Sequence, residues 1–198
     1  VTKQIKFDSK GEVDDLFAVY EKINPSVLAG FSFGAAMQAM LAHRVKAERM
    51  VLVGVAVTNF DVPRVPAGTL VIHDRDAHDD VLRVLAEEGA PEQTVFHCFS
   101  GDEAMARECA DRGYVMSFAG NVTFKNAQAL RGAASVAPTE LILAETDAPY
   151  LTPVPHRGKP NSPAMAAHTI RFLAELKNLD LAEFCARLQA TGTRVFAW

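Results

Sequence analysis

Short apolar runs alternate along the chain with stretches in which apolar residues recur every three or four positions. The runs Val27 to Phe31, Met50 to Val57, Thr69 to His73, Thr94 to His97, Tyr114 to Phe118 and Leu141 to Glu145 are rich in β-branched and aromatic residues and end in small or polar ones. That pattern predicts strands buried on both faces, as in a parallel sheet. The segments between them, at roughly 12–22, 35–45, 79–88, 102–112, 125–134, 164–176 and 181–189, predict helices. In 79–88, Val81, Leu82, Val84 and Leu85 share helical spacing, and Gly89 stands where a C-terminal cap belongs. Ahead of 125–134, Thr123 is a candidate N-cap, and Gly132 weakens the last turn.

Strand and helix in alternation exclude the all-α and all-β classes and predict an α/β fold with a mostly parallel sheet of βα units. Six strands, with a further candidate at Lys3 to Phe7, fall short of the eight that close a barrel, so a partial or imperfect TIM-like barrel is expected. Such a sheet keeps edge strands, which are open to pairing with a second copy of the chain as a homo-oligomer. The loop-like stretch Asn59 to Gly68, with Pro63 and Pro66, is a candidate boundary. The chain is expected to comprise 1–72 and 73–198, two segments that a continuous sheet would merge into one domain.

Composition narrows the function classes. Of 198 residues, 49% are hydrophobic and 22% charged, which fits a globular chain and not a disordered one. The longest uncharged apolar stretch, Ser26 to Leu41, is interrupted by Ser32 and Gln38 and falls short of the ~20 apolar residues that span a bilayer, so no membrane association is expected. The charged N-terminal decapeptide carries no signal-peptide core, and Cys98, Cys109 and Cys185 match no zinc spacing. Reduced thiols in a cytoplasmic protein are the expectation. A net charge of −4 leaves no broad basic surface, so any nucleic acid would be held by a local metal site and a few cations.

Two constellations carry chemistry. Val27-Leu-Ala-Gly30-Phe-Ser32-Phe-Gly34 reads as a strand, a sharp turn and a helix bearing a G-x-S-x-G motif. Its serine would be exposed at a helix N-terminus as a candidate nucleophile. A serine nucleophile needs a histidine base and an orienting carboxylate, and nothing in the spacing of Asp74, Asp76, Asp79, His97, His156 or His168 assigns either. The second constellation lies at three strand ends: His73, His97 and the Glu145-Thr-Asp147 segment. Parallel strands gather their C-terminal ends on one rim, where imidazole and carboxylate suit a divalent metal that polarises phosphate and activates water. A single histidine there is more often a hydrogen-bonded core residue, and it is the three groups together that shift the balance toward a metal.

His73-Asp-Arg75-Asp76-Ala, His97-Cys-Phe-Ser100-Gly101, Ser117-Phe-Ala-Gly120-Asn-Val-Thr-Phe-Lys125, Glu145-Thr-Asp147-Ala-Pro149-Tyr-Leu151 and Pro155-His-Arg157-Gly158-Lys-Pro-Asn161 occur in one order. In that order they resemble the second half of TatD-type metal-dependent hydrolases, from about Thr69 to the C-terminus. The resemblance implies a TIM-like barrel with a two-metal site at its C-terminal rim and DNase activity. It makes His73, His97 and Asp147 metal ligands, with Asp147 also helping to deprotonate the attacking water. Arg75, Glu145, Arg157 and Asn161 become substrate-binding residues that support the phosphate or the loop beneath it. The implied cofactor is Mg, Mn or Zn, and the implied substrate DNA or a small phosphoester.

Residues 1–72 instead resemble a stretch of an α/β hydrolase, so the chain reads as a chimera joined within Leu70 to His73. The TatD-type site also draws on a first-strand histidine pair and a bridging glutamate upstream of the matched part, and no His-x-His occurs in this chain. An impaired, single-metal phosphodiesterase is therefore the leading expectation. A serine esterase or acyl hydrolase using Ser32 and a non-catalytic chimeric scaffold are the alternatives.

Overall fold

Every strand of the sheet runs parallel to its neighbours, and the strands follow one another in space in their order along the chain. The computed structural model describes residues 18, 21, 27–31, 49–53, 68–74 and 76–196. Within them the strands are β1 (Val27–Phe31), β2 (Arg49–Val53), β3 (Thr69–His73), β4 (Gln93–His97), β5 (Val115–Phe118) and β6 (Ile142–Ala144). The helices are α1 (His78–Glu88), α2 (Glu103–Asp111), α3 (Gln128–Val136), α4 (Ala166–Leu176) and α5 (Leu181–Phe196). The expected α/β fold of parallel βα units is thus observed, with β1 and β6 as the end strands among the described residues. The helices expected over 12–22 and 35–45 and the strand over 3–7 lie wholly or almost wholly outside those residues, as do Ser32, Arg75 and most of the proposed 59–68 boundary.

Alternation along each strand sorts side chains between two cores. On one face Phe96, Met116 and Ile142 pack with Leu82 and Leu85 of α1, Met105 and Cys109 of α2, Leu130 and Ala133 of α3, Leu173 of α4 and Phe184 of α5. On the other, Val71, Val95 and Val115 meet Val195 at the end of α5. Thr69 Oγ1 donates to Val195 O at 2.6 Å, fastening the start of β3 to the last turn of the chain. The sheet passes without interruption across the expected joint: Val51, Leu52 and Val53 pair with Thr69, Leu70 and Val71.

Local signals held in part. Gly89 ends α1 with φ +81°, a conformation that costs glycine little. Asp102 caps α2 by accepting the Met105 N–H at 3.0 Å. Thr123, by contrast, is not the N-cap of α3, which begins later, at Gln128, and has no side-chain cap. Residues Gly120–Thr123 form a 3-10 turn instead. There the Thr123 hydroxyl donates to Gly120 O at 2.7 Å and accepts the Val154 N–H at 2.9 Å, so a long-range tie takes the oxygen that a cap would have used. The helix continues two residues past the expected end, to Val136. The closing stretch 191–196 is continuous with α5, because Thr191 and Val195 are buried and hold the helix against the sheet.

Candidate metal centre

The register of the sheet places His73 and His97 side by side at the ends of β3 and β4, with ring centroids 5.6 Å apart. Glu145 follows β6 directly, and its N–H bonds to Phe118 O at 3.0 Å, which continues the β5–β6 ladder one step beyond the strand. From there its carboxylate reaches across to the end of β4. His97 Nδ1 lies 2.8 Å from Oε1 and 3.0 Å from Oε2 of Glu145, and only Oε2 has the direction of a hydrogen bond. Oε2 also accepts the Cys98 N–H at 3.1 Å, while Oε1 is buried with no hydrogen-bond partner among the described residues.

This arrangement decides the roles of the two ring nitrogens. With Nδ1–H directed at a carboxylate, Nε2 carries the free lone pair. It faces Asp147 Oδ1 at 3.6 Å, too far for a hydrogen bond. When the imidazole is neutral, two acceptors face each other with no donor between them among the described residues, a demand that a cation or a proton on Nε2 meets. Two ligand atoms each ~2.1 Å from a tetrahedral metal stand about 3.4 Å apart, so the observed gap fits a shared divalent ion. His97, Glu145 and Asp147 bring donor atoms within 4.8 Å of one another, each side chain being 19–30% exposed and so reachable from solvent.

The same field raises the basicity of His97. The hydrogen bond to Glu145 is the largest cause, burial opposes it, and the charges of Glu145 and Asp147 add to it. A proton on Nε2 and a metal on Nε2 answer the same negative surroundings.

Asp147 is held from beneath. Its φ is +54°, a region aspartate tolerates better than most residues. Asn161, buried, donates from Nδ2 to Thr146 O at 2.7 Å and to Tyr150 O at 2.5 Å, and its own N–H bonds to Pro149 O at 3.1 Å. These bonds clasp residues 146–150 around Asp147. Gly120 lies under the same loop: a Cβ there would fall 2.1 Å from Leu151 O and 2.9 Å from the Pro153 ring, so close backbone approach is why glycine stands at this position.

The chain matches the TatD related DNase family over residues 66–197. It belongs to that family. At 50% identity over 120 residues it resembles a protein of Mycobacterium tuberculosis named uncharacterized metal-dependent hydrolase TatD, covering 61% of this chain and 46% of that protein. The uncharacterized metal-dependent hydrolase YcfH of Escherichia coli K12 is 42% identical over 128 residues, covering 64% of this chain and 48% of that one. The chain thus spans about half the length of the curated relatives it matches. The crystal structure of YJJV, a TatD homologue of Escherichia coli K12, superposes with a TM-score of 0.67 at 22% identity, covering 95% of this chain and 82% of that one. That likeness extends the shared fold beyond the sequence match, to strands ahead of residue 66.

The TatD-type motifs converge on this rim with one change in grouping. The expected trio was His73, His97 and Asp147, whereas the compact set is His97, Glu145 and Asp147. His73 stands beside His97 but is exposed at the end of β3. Glu145, expected at the substrate, contacts His97 and the Cys98 backbone. Asn161, also expected at the substrate, spends its amide on loop carbonyls. Arg157 is exposed with its guanidinium 3.9 Å above the Phe124 ring. Motif reading did not assign a role to Phe124, Lys125, Tyr150 or Lys159, although each lies in or beside a quoted motif. Among the described residues no helix is long and apolar enough to cross a membrane.

Proposed function

We propose that this rim holds a divalent cation, Mg, Mn or Zn, and that the protein hydrolyses phosphodiester bonds of DNA or a smaller phosphoester. The observation that carries the reading is the pair of facing acceptors, His97 Nε2 and Asp147 Oδ1 at 3.6 Å, with the opposite ring nitrogen committed to Glu145. His97 and Asp147 are the ligands in this account. His73, one strand away with its ring centroid 5.6 Å from that of His97, is the further ligand in this account. Glu145 fixes the tautomer and orientation of His97, a role that carboxylates commonly take behind metal-bound histidine. A cation bound there supplies positive charge that polarises a phosphate oxygen and lowers the pKa of water. In this reading Asp147 is the carboxylate that accepts a proton from the attacking water. Asn161 and Gly120 keep the Asp147 loop in place.

The test is cleavage of single-stranded DNA with magnesium, manganese or zinc, comparing the chain with its His97→Ala, Asp147→Ala double variant. Metal-dependent cleavage lost in the double variant supports the reading. Cleavage equal in both, or absent with every metal, counts against it.

A second reading, a serine acyl hydrolase of chimeric origin, rests on β1 ending at Phe31, directly ahead of Ser32 in the Gly30-Phe-Ser32-Phe-Gly34 motif. Labelling by a fluorophosphonate that is lost in Ser32→Ala supports it, and absence of labelling removes it.

A further inference from the structure

Two histidines that take no part in the metal rim touch each other. His156 lies on the loop that follows β6 and His168 in the first turn of α4. Their rings meet edge to face with centroids 4.7 Å apart. Both residues are partly exposed. Among the described residues, no ring nitrogen of either has a hydrogen-bond or ion-pair partner. Any two aromatic rings could make this contact for packing alone, but two imidazoles add an unpaired lone pair on each ring, the form in which histidine ligates metal.

The backbones that carry the two rings are fixed. His156 N donates to Pro153 O at 2.8 Å, and His156 O accepts the Lys159 N–H at 3.2 Å, so successive turns bracket the residue. Thr152 Oγ1 donates to Lys159 O at 2.6 Å, and Asn161 ties the end of the same loop to Thr146 and Tyr150. On α4, buried Thr169 and Leu173 set which face of the helix points inward. The separation of the rings is the one that a shared ion requires. With nitrogens ~2.1 Å from a metal and ring centroids ~3.2 Å from it, two imidazoles stand about 4.5 Å apart at a right angle and about 5.2 Å apart at a tetrahedral one.

We propose that His156 and His168 form a second metal site, for a transition-metal ion of the nickel, copper or zinc class, that cross-links the loop after β6 to α4. The only group of three or more metal-binding side chains among the described residues is His97, Glu145 and Asp147, so this site has two protein ligands and water in its other positions. Its neighbours set its selectivity. Arg157, next to His156, lies on Phe124, and Arg171, one turn beyond His168, donates to Ala167 O at 3.5 Å. With cations close by and no carboxylate in the ligand set, hard ions such as magnesium and manganese are disfavoured, whereas nickel, copper and zinc are held by imidazole itself. The site is independent of the phosphodiesterase reading.

The experiment is equilibrium dialysis of the untagged full chain, stripped with EDTA and desalted, against nickel, zinc or manganese, with bound metal counted by elemental analysis. The parent chain is expected to hold one more equivalent of nickel and of zinc than either His156→Gln or His168→Gln, with all three proteins giving the same far-UV circular dichroism. Manganese counts should be equal in the three. Equal nickel and zinc counts in the parent and both variants overturn the site, and an extra manganese equivalent in the parent overturns its selectivity. In the His97→Ala, Asp147→Ala background the extra nickel equivalent should persist and should again be lost on adding His168→Gln, which separates failure of this pair from failure of the metal rim. Nickel should also raise the Tm of that background protein, by an increment lost with His168→Gln, because the ion ties loop to helix only in the folded state. The same Tm increment with and without His168 would overturn the cross-link.

Discussion

Replacing Glu145 by glutamine and by alanine distinguishes a residue that orients His97 from one that binds the cation itself. Glu145 Oε2 accepts both the His97 Nδ1–H at 3.0 Å and the Cys98 N–H at 3.1 Å. Alanine removes both bonds and frees the imidazole to choose its tautomer and rotate. Loss of such an orienting partner typically costs 10- to 100-fold in metal affinity, about 1.4–2.7 kcal/mol. Glutamine can place its amide oxygen where Oε2 lies and keep both bonds, losing the charge. Since charge-assisted bonds are about twice as strong as neutral ones, roughly half the free-energy loss is expected, or about 3- to 10-fold. Titration of zinc or manganese into each variant by calorimetry reads the order parent, glutamine, alanine. Glutamine as damaging as alanine would refute the orienting role, because it would mean that the carboxylate is itself a ligand through Oε1. An alanine variant with parental affinity would refute any role at the metal.

Other consequences follow from the loop and the electrostatics. Gly120→Ala drives a Cβ to within 2.1 Å of Leu151 O; overpacking against backbone should cost about 1–3 kcal/mol and lower Tm by roughly 3–10 °C in a thermal melt, and an unchanged Tm would contradict the tight approach. Asn161→Ala strands the Thr146 and Tyr150 carbonyls, with a stability loss of about 1–3 kcal/mol and weaker metal binding through the displaced Asp147 loop, read by denaturant unfolding and calorimetry together. For His97, whose folded pKa is raised above 6.5, the metal-free protein gains stability that is complete below 6.5 and fades as pH rises through the folded value. Metal affinity should show the opposite trend and fall as pH drops through that value, since Nε2 must lose its proton to bind; parallel pH series of Tm in EDTA and of metal titrations check both signs.

Much of this architecture was legible in the residue pattern because buried parallel strands write themselves as unbroken apolar runs. β1 and β3 begin and end at the expected residues, and β4, β5 and β6 within a few positions. The α3 start was misread because Thr123 looks like a cap locally, while its hydroxyl is engaged by Val154, thirty-one residues away in sequence. The site was legible as a set of strand-end histidines and an Asp147 segment, since parallel topology gathers such ends. Its internal division of labour was not. That Glu145 serves His97 while His73 stays exposed depends on a carboxylate crossing from the end of β6 to the end of β4, and no sequence spacing records that crossing. The Asn161 clasp was hidden for the same reason: its partners are backbone carbonyls, which carry no residue identity.

The central claim, a cation shared by His97 and Asp147, is tested most directly by anomalous diffraction from crystals of the protein grown with manganese or zinc. The account predicts an anomalous peak bonded to His97 Nε2 and an Asp147 carboxylate oxygen, with Glu145 remaining on Nδ1. A peak bound through Nδ1, or a metal located elsewhere with Nε2 and Asp147 still facing each other, would contradict it.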